Sequence, residues 1–353
     1  VKVLVTGGSG FIGSYFVERL ADEGRELVIL DLIDPPDWYP NHTYIKGDVR
    51  DPAAVKRALA GCDRVVHLAA AHHDFGIEHD TYYSVNEFGT KVLCDAMDQL
   101  GVKDVTFYST VATYGDAPEP HHETAPTKPN SPYGGSKLKG EEVLKTWTDQ
   151  GDGRRALVIR PTVTFGVRNF ANMYSLIRQV ASGKYLEFGP GENIKSLSYV
   201  ENIVDATLFL LEKPVGDSSA DSKSELQPFE IFNYIDKPDL TSKQISHAVF
   251  TSLGKKPPSF VLPLWVGLVL AIPFDIVIAL TGKNLPISSA RLKKLFHTQT
   301  KFEADKLAAA GYTPRVPLTE GIDRMVKWYL ASGAAQTAEW HQPPKDVVIV
   351  AEG

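Results

Sequence analysis

Apolar and β-branched positions gather into short runs through the first 160 residues. Lys2 to Val5, Glu26 to Asp31, Thr43 to Lys46, Arg64 to Leu68, Val105 to Tyr108 and Ala156 to Ile159 read as strands. Helical patterns fall between most of them. This alternation predicts a parallel sheet whose strands are joined by crossover helices. Asp51-Pro52 opens one short helix, carrying Val55 and Leu59. Ser131-Pro132 supplies an N-cap and a first-turn proline to another, which begins at Tyr133.

Beyond Arg160 the pattern changes. Val200, Ile203, Val204, Leu208 and Leu211 form an apolar stripe at helical spacing. Phe229 to Ile235 reads as a further strand. The stretch from Gly216 to Gln227, rich in Ser, Asp and Lys, reads as an exposed loop. From Ser332 onward the chain reads as an arm or tail. The longest apolar run is Phe260 to Thr281, where Asp275 is the one charged residue.

The chain has 353 residues and 43% hydrophobic content, enough for a sizeable core. A formal charge of -6 argues against a nucleic-acid partner. The two cysteines, Cys62 and Cys94, have no metal-ligand spacing, and a reduced, cytoplasmic compartment is the simplest expectation. No metal is expected. The pairs His72-His73 and His121-His122 lack a third ligand, and neighbouring histidines are expected to point apart.

The chemistry begins with Thr6-Gly7-Gly8-Ser9-Gly10-Phe11-Ile12-Gly13, which follows the first strand and enters a helix. Gly7 permits the turn, Gly10 lets backbone approach a pyrophosphate, and Gly13 lets helix and strand pack closely. Phe11 and Ile12 lie in the helical turn that would face the phosphates. Asp31 ends the second strand. A carboxylate there can hold the adenosine ribose hydroxyls and repel a 2'-phosphate, so NAD is favoured over NADP. The plainer reading makes Asp31 a strand-end turn residue. Asp48-Val49 can receive the adenine edge, and Leu68-Ala69-Ala70 present small surfaces where a cofactor must pass.

In Tyr133-Gly134-Gly135-Ser136-Lys137 a phenol and an ammonium stand four residues apart. One helical turn places them on one face, and a nearby cation favours the phenolate. By itself the spacing is common in solvated helices. The glycine loop upstream gives it meaning.

Together with His67-Leu68-Ala69-Ala70, Asn86 and Tyr108-Ser109-Thr110-Val111-Ala112-Thr113-Tyr114-Gly115, these segments resemble the extended short-chain dehydrogenase/reductases, specifically the NAD-dependent epimerase/dehydratase group. The resemblance runs over roughly residues 1–330. It implies an α/β fold: a Rossmann-type doubly wound parallel sheet with a smaller C-terminal α/β substrate-binding domain. The implied division is 1–167 for NAD, 168–331 for substrate with some chain crossing, and 332–353 as tail. It implies Thr110, Tyr133 and Lys137 as the catalytic set, with Ser109, Tyr133, Lys137 and Pro161 added to the cofactor contacts. It implies a structural role for Asn86, and many relatives are homodimers.

The resemblance also implies reversible hydride transfer, with Tyr133 taking and returning a hydroxyl proton. Family dehydratases generally carry an acidic pair after the catalytic Ser/Thr. Val111-Ala112 stand there, so dehydration is disfavoured. Arg160 to Asn169, Lys195 to Asn202 and Tyr234 to Leu240 resemble bacterial epimerases acting on N-acetylglucosamine linked through diphosphate to a polyprenol. The expected partner is therefore a sugar diphosphate, lipid- or nucleotide-linked. Val163 and Lys195 replace the asparagine and arginine common in nucleotide-sugar epimerases. Arg168 and Arg291 complete the expected substrate contacts.

Phe260 to Thr281 admits two readings. It forms either two short helices packed in the substrate domain or a monotopic surface dipping into the inner face of the membrane. Lys255, Lys256, Lys283, Arg291, Lys293 and Lys294 would then suit anionic headgroups. Pro263, Pro273 and Asp275 oppose a straight transmembrane helix. The rival functions are a soluble UDP-glucose or UDP-N-acetylglucosamine 4-epimerase, a hydroxysteroid-type dehydrogenase, and a non-enzymatic NAD-sensing protein.

Overall fold

The computed structural model describes residues 1–40, 42–73, 76–117, 119–216, 225–281, 289, 302–337 and 341–347. Seven strands form one sheet: β1 (Lys2–Thr6), β2 (Glu26–Asp31), β3 (Thr43–Lys46), β4 (Arg64–His67), β5 (Asp104–Tyr108), β6 (Arg155–Pro161) and β10 (Phe229–Tyr234). Their spatial order is β10-β6-β5-β4-β1-β2-β3, and every pair is parallel. The order reverses between β1 and β4. Ligands bind such sheets in the crevice beyond the carboxyl ends of the strands at that reversal.

Helices cover both faces. On one lie α2 (Pro52–Leu59), α3 (His79–Tyr83), α4 (Gly89–Leu100) and α5 (Pro132–Thr148), joined into a core with Leu4, Leu30, Val65, Phe107 and Val158. On the other lie α1 (Phe11–Asp22) and α7 (Val200–Leu211), where Phe16, Val17, Ile203 and Leu210 meet Val5, Ile29 and Phe232. Two caps form where the sequence places them. The Asp51 carboxylate accepts from Ala53 N at 2.9 Å, and the Ser131 hydroxyl accepts from Gly134 N at 3.2 Å.

A second core brings together α6 (Asn172–Ala181), α8 (Ser242–Ser252) and α11 (Leu318–Ala331) through Ile177, Val249, Ile322, Met325 and Val326. Beside it lie two small sheets. In one, β7 (Val163–Phe165) pairs with β9 (Leu197–Tyr199); in the other, β8 (Ile194–Lys195) pairs with β11 (Leu240–Thr241). The short α10 (Asp305–Ala309) returns to the main sheet, with Leu307 in its core. Thus α7, β10 and α10 lie beyond residue 167 in sequence yet build the nucleotide half. Sequence periodicity finds α7 and β10, but neither α10 nor the half they join.

Three expectations change. Of the loop expected at 216–227, residues 217–224 lie outside the described residues, but Leu226 is buried at 5% exposure against β10 neighbours and bridges Val215. The apolar run after Phe260 is one helix, α9 (Leu264–Thr281), not two short ones. The tail is not a loose arm throughout, because residues 344–346 are held by Arg50.

Candidate active site

The glycine loop follows β1 at the reversal. Gly7 takes φ 70°, and a Cβ there would lie 2.6 Å from Ala69 N, so only glycine fits. Gly10 is the N-cap of α1 and offers no side chain to its first turn. Phe11 and Ile12 are half-buried at that turn, and Gly13 is buried behind them. This is a cradle for an anionic group at a helix N-terminus, and the residues fit the pyrophosphate of NAD.

Asp31 stands at the end of β2 beside this loop. Its carboxylate accepts from Ser9 N at 2.9 Å and Ile33 N at 3.3 Å. Burial raises its pKa, and the surrounding backbone N–H groups oppose the rise. Leu68, Ala69 and Ala70 follow β4 and are half-buried along the groove. Val49 is buried. Asp48 is committed differently from the expectation. Its two oxygens accept from Arg50 Nε at 2.9 Å and Nη2 at 2.5 Å, and it also accepts from Arg50 N at 2.9 Å. Its first task is to hold Arg50, a residue sequence reading passed over although it directly follows Asp48-Val49.

The Tyr133–Lys137 helix is anchored on three sides. Ser131 caps it. Gly134 lies so close to the turn after β5 that a Cβ would fall 2.4 Å from Ala112 O. Asn86 donates to Ser136 Oγ and to Ala71 O, each at 2.9 Å, and accepts from Ala71 N at 2.9 Å. Asn86 therefore ties the loop after β4 to the helix carrying Tyr133 and Lys137, the structural part expected of it.

Lys137 is 1% exposed, with Nζ 4.2 Å from the centre of the Phe107 ring. Burial pulls its pKa down to about 7, and Glu141 opposes the fall. Behind it lies His67, fully buried, whose ring nitrogens meet Thr6 Oγ1 at 2.7 Å and Thr90 Oγ1 at 3.2 Å. Desolvation lowers its pKa to about 3, with Lys137 adding to the effect, so the imidazole is neutral. Tyr133 is half-buried at the groove. Thr110 lies just after β5 as the cap of a short turn, accepting from Ala112 N at 3.1 Å.

Ser109 donates to Glu141, which also receives the Arg160 guanidinium through Nε at 2.9 Å and Nη2 at 2.5 Å. This buried triad joins β5, α5 and β6. It binds Ser109 to structure rather than leaving it to the cofactor, and Glu141, one helical turn beyond Lys137, was legible from spacing alone. Pro161 closes β6 and is buried opposite Tyr234.

The expected substrate contacts separate. Val163 is 48% exposed beside the groove. Lys195 lies in β8, paired with Leu240. Arg168 moves away from the assignment: it is bidentate to Glu18 at 2.9 and 2.8 Å and lies over Tyr15 and Trp38, 4.6 and 4.5 Å from their ring centres. With its charge paired there, the reason for placing it on a diphosphate is gone. Arg291 lies outside the described residues, as do Lys283, Lys293 and Lys294. Lys255 donates to Val180 O at 3.1 Å and Ala181 O at 2.5 Å, capping α6 instead of facing a headgroup.

Among the described residues, no group of three His, Cys, Asp or Glu side chains could hold a metal. His72 and His73 nevertheless do not diverge as expected. Their rings lie 4.3 Å apart.

The pattern of the NAD dependent epimerase/dehydratase family matches residues 3–222. The chain is 40% identical over 329 residues to the N-acetyl-alpha-D-glucosaminyl-diphospho-ditrans,octacis-undecaprenol 4-epimerase of Escherichia coli O157:H7, covering 93% of this chain and 95% of that protein. It is 26% identical to 3beta-hydroxysteroid-dehydrogenase/decarboxylase isoform 2 of Arabidopsis thaliana, over 99% of this chain and 66% of that one. The UDP-glucose 4-epimerase of Thermus thermophilus, solved in complex with NAD, superimposes with a TM-score of 0.70 at 25% identity, covering 94% of this chain and 100% of that one.

Proposed function

The chain belongs to the NAD dependent epimerase/dehydratase family, and we propose that it interconverts N-acetylglucosamine and N-acetylgalactosamine carried on a polyprenyl diphosphate. Bound NAD supplies the hydride acceptor and donor at C4 of the sugar. Tyr133 takes the proton of the 4-hydroxyl as the hydride leaves and gives it back when hydride returns to the opposite face of the 4-keto sugar. Lys137, buried against Phe107, supplies the positive charge that favours the phenolate and holds the nicotinamide ribose. Thr110 orients the same sugar oxygen. The ion pair of Glu141 with Arg160 and the Asn86 bridge keep these groups in register without touching the substrate.

The observation that carries the choice of carrier is α9. Trp265 is 66% exposed, Val269 53%, Leu270 55%, Ile272 50%, Ile276 53% and Leu280 80%. So wide an apolar surface on one helix marks a contact site. No helix among the described residues is long and apolar enough to cross a membrane. With 18 residues, α9 is about 27 Å long, just short of the ~30 Å hydrocarbon core, and it is interrupted by Pro273 and Asp275.

An exposed apolar helix too short to span a bilayer suits contact with the membrane surface. Its entry is fixed to the segment that precedes β8: Leu262 exchanges backbone hydrogen bonds with Glu187 and Gly189, each at 2.9 Å, and Gly267 lies against Phe188. The same segment runs on to Lys195. A lipid tail along α9 therefore leaves its diphosphate on the Lys195 side of the groove. The E. coli relative, which acts on an undecaprenol-linked sugar by its name, supports the same carrier.

The test is direct. Incubation with polyprenyl-diphosphate-linked and UDP-linked N-acetylglucosamine should yield the 4-epimer from the first, without net NADH. Turnover of the UDP sugar alone sinks the lipid carrier. Stoichiometric NADH accumulation would instead favour a dehydrogenase.

A further inference from the structure

Residues 341–347 return from the C-terminal end to the nucleotide half and touch the loops that follow β3 and β4. After β3, Arg50 is 2% exposed. Its guanidinium is bound on one edge by Asp48 and on the other by three consecutive carbonyls of the tail: Pro344 O at 2.9 Å, Lys345 O at 3.1 Å and Asp346 O at 3.1 Å. Ser84 Oγ accepts the remaining bond at 3.1 Å. Every donor of the fork has an acceptor, and half of those acceptors belong to the tail.

After β4, His73 Nε2 lies 3.2 Å from His341 O, and Gln342 packs on Gly76, where a Cβ would fall 2.4 Å from its amide nitrogen. Lys345 pairs with Glu78 at 3.1 Å. After β2, His341 is within electrostatic reach of the Asp31 carboxylate. Asp31, Val49 and Leu68-Ala69-Ala70 lie where the adenosine half of NAD is expected to bind. The tail thus reaches the loops after β3 and β4, and at the first it does so through backbone carbonyls gathered on a buried cation, which is not how a loose surface tail binds.

We infer that residues 341–347 form a strap over the adenosine end of the NAD site, fastened by Arg50, and that the strap slows release of the cofactor. The inference rests on NAD binding at the glycine loop. It also suits the reaction: an epimerase returns NAD unchanged at each turnover, so the cofactor need not exchange, and a covered adenosine costs nothing in rate.

The experiment compares the full chain with a chain ending at Gln336. Each is loaded with NAD and passed through gel filtration, and the NAD retained per chain is measured over time after denaturing release. NAD should leave the shortened chain at least tenfold faster, with its thermal midpoint in saturating NAD confirming that it folds. Equal retention by the two chains overturns the strap, and slower release from the shortened chain would make the tail a competitor instead. Hydrogen exchange on the full chain provides a second readout that needs no truncation. Saturating NAD should slow amide exchange across 341–347 several-fold, and unchanged exchange overturns the strap. A full chain that retains no NAD overturns the cofactor reading itself.

Discussion

Lys137 is 1% exposed and Trp265 is 66% exposed, and the two residues stand for regions built on opposite rules. Around Lys137, polar groups are buried and most have partners inside the protein. His67 meets two threonines, Asn86 makes three hydrogen bonds, and Glu141 serves Ser109 and Arg160 together. Such networks set positions firmly, because an unanswered polar group in the interior is expensive. Along α9 the side chains are apolar and face outward, against the usual drive to bury them. The first region performs chemistry that any sugar or sterol of suitable geometry could undergo. The second is the surface we propose for the lipid carrier.

The sharpest way to separate the two regions is Tyr133→Phe. Activity on any carrier should fall by about 10²–10⁴-fold, the usual worth of a positioned acid–base group, while bound NAD stays at the wild-type level. Activity above a tenth of wild type would remove Tyr133 from the proton transfer.

Next in size is the combined replacement of Trp265, Leu270 and Ile276 by serine. Each fully buried apolar side chain contributes about 1.5–3 kcal/mol, so binding to anionic liposomes should weaken by about 100-fold or more in flotation. The thermal midpoint should hold, since these positions are already exposed. A fall in the midpoint with unchanged flotation would mean that α9 serves the core.

Asn86→Ala should cost about 1–3 kcal/mol in denaturant titration, because it strips partners from buried Ala71 and Ser136. Its effect on liposome binding should be nil. Equal stability of the variant would separate Asn86 from the network.

The last effect is one of pH. His67 is held neutral with a pKa of about 3, below the ordinary value of 6.5. Between those values the unfolded chain binds the extra proton, so stability rises with pH through this window and is lost on acidification. The slope from this one group is at most about 1.4 kcal/mol per pH unit. His67→Asn should flatten the acid limb of the stability curve, and an unchanged limb would assign it to other groups.

Much of the nucleotide half is readable in the chain because its signals are local. A buried strand announces itself by composition, a glycine loop by its turn, and a capped helix by Ser131-Pro132. Tyr133 and Lys137 stand out by their spacing on such an element, whereas Thr110 enters only through the family resemblance. What spacing does not carry is pairing between distant segments. Arg168 looked free for a diphosphate until Glu18 was found opposite it, 150 residues away in sequence. Ser109 and Asp48 looked free for the cofactor until Glu141 and Arg50 claimed them. A side chain's charge is written in the sequence, but its partner is not.

The same division holds for the apolar run from Phe260. Its composition alone marked it as unusual, because twenty-two residues with one charge stand out in any soluble chain. Whether it would be buried or exposed depended on the surrounding surfaces, and those come together only in three dimensions. From sequence alone came the family chemistry: local backbone rules place a glycine loop, a carboxylate and a Tyr–Lys pair on adjoining elements. The tertiary structure decided where charges are spent, which apolar face remains open, and that the last residues return to Arg50. These are long-range contacts, settled by packing, and no local pattern encodes them.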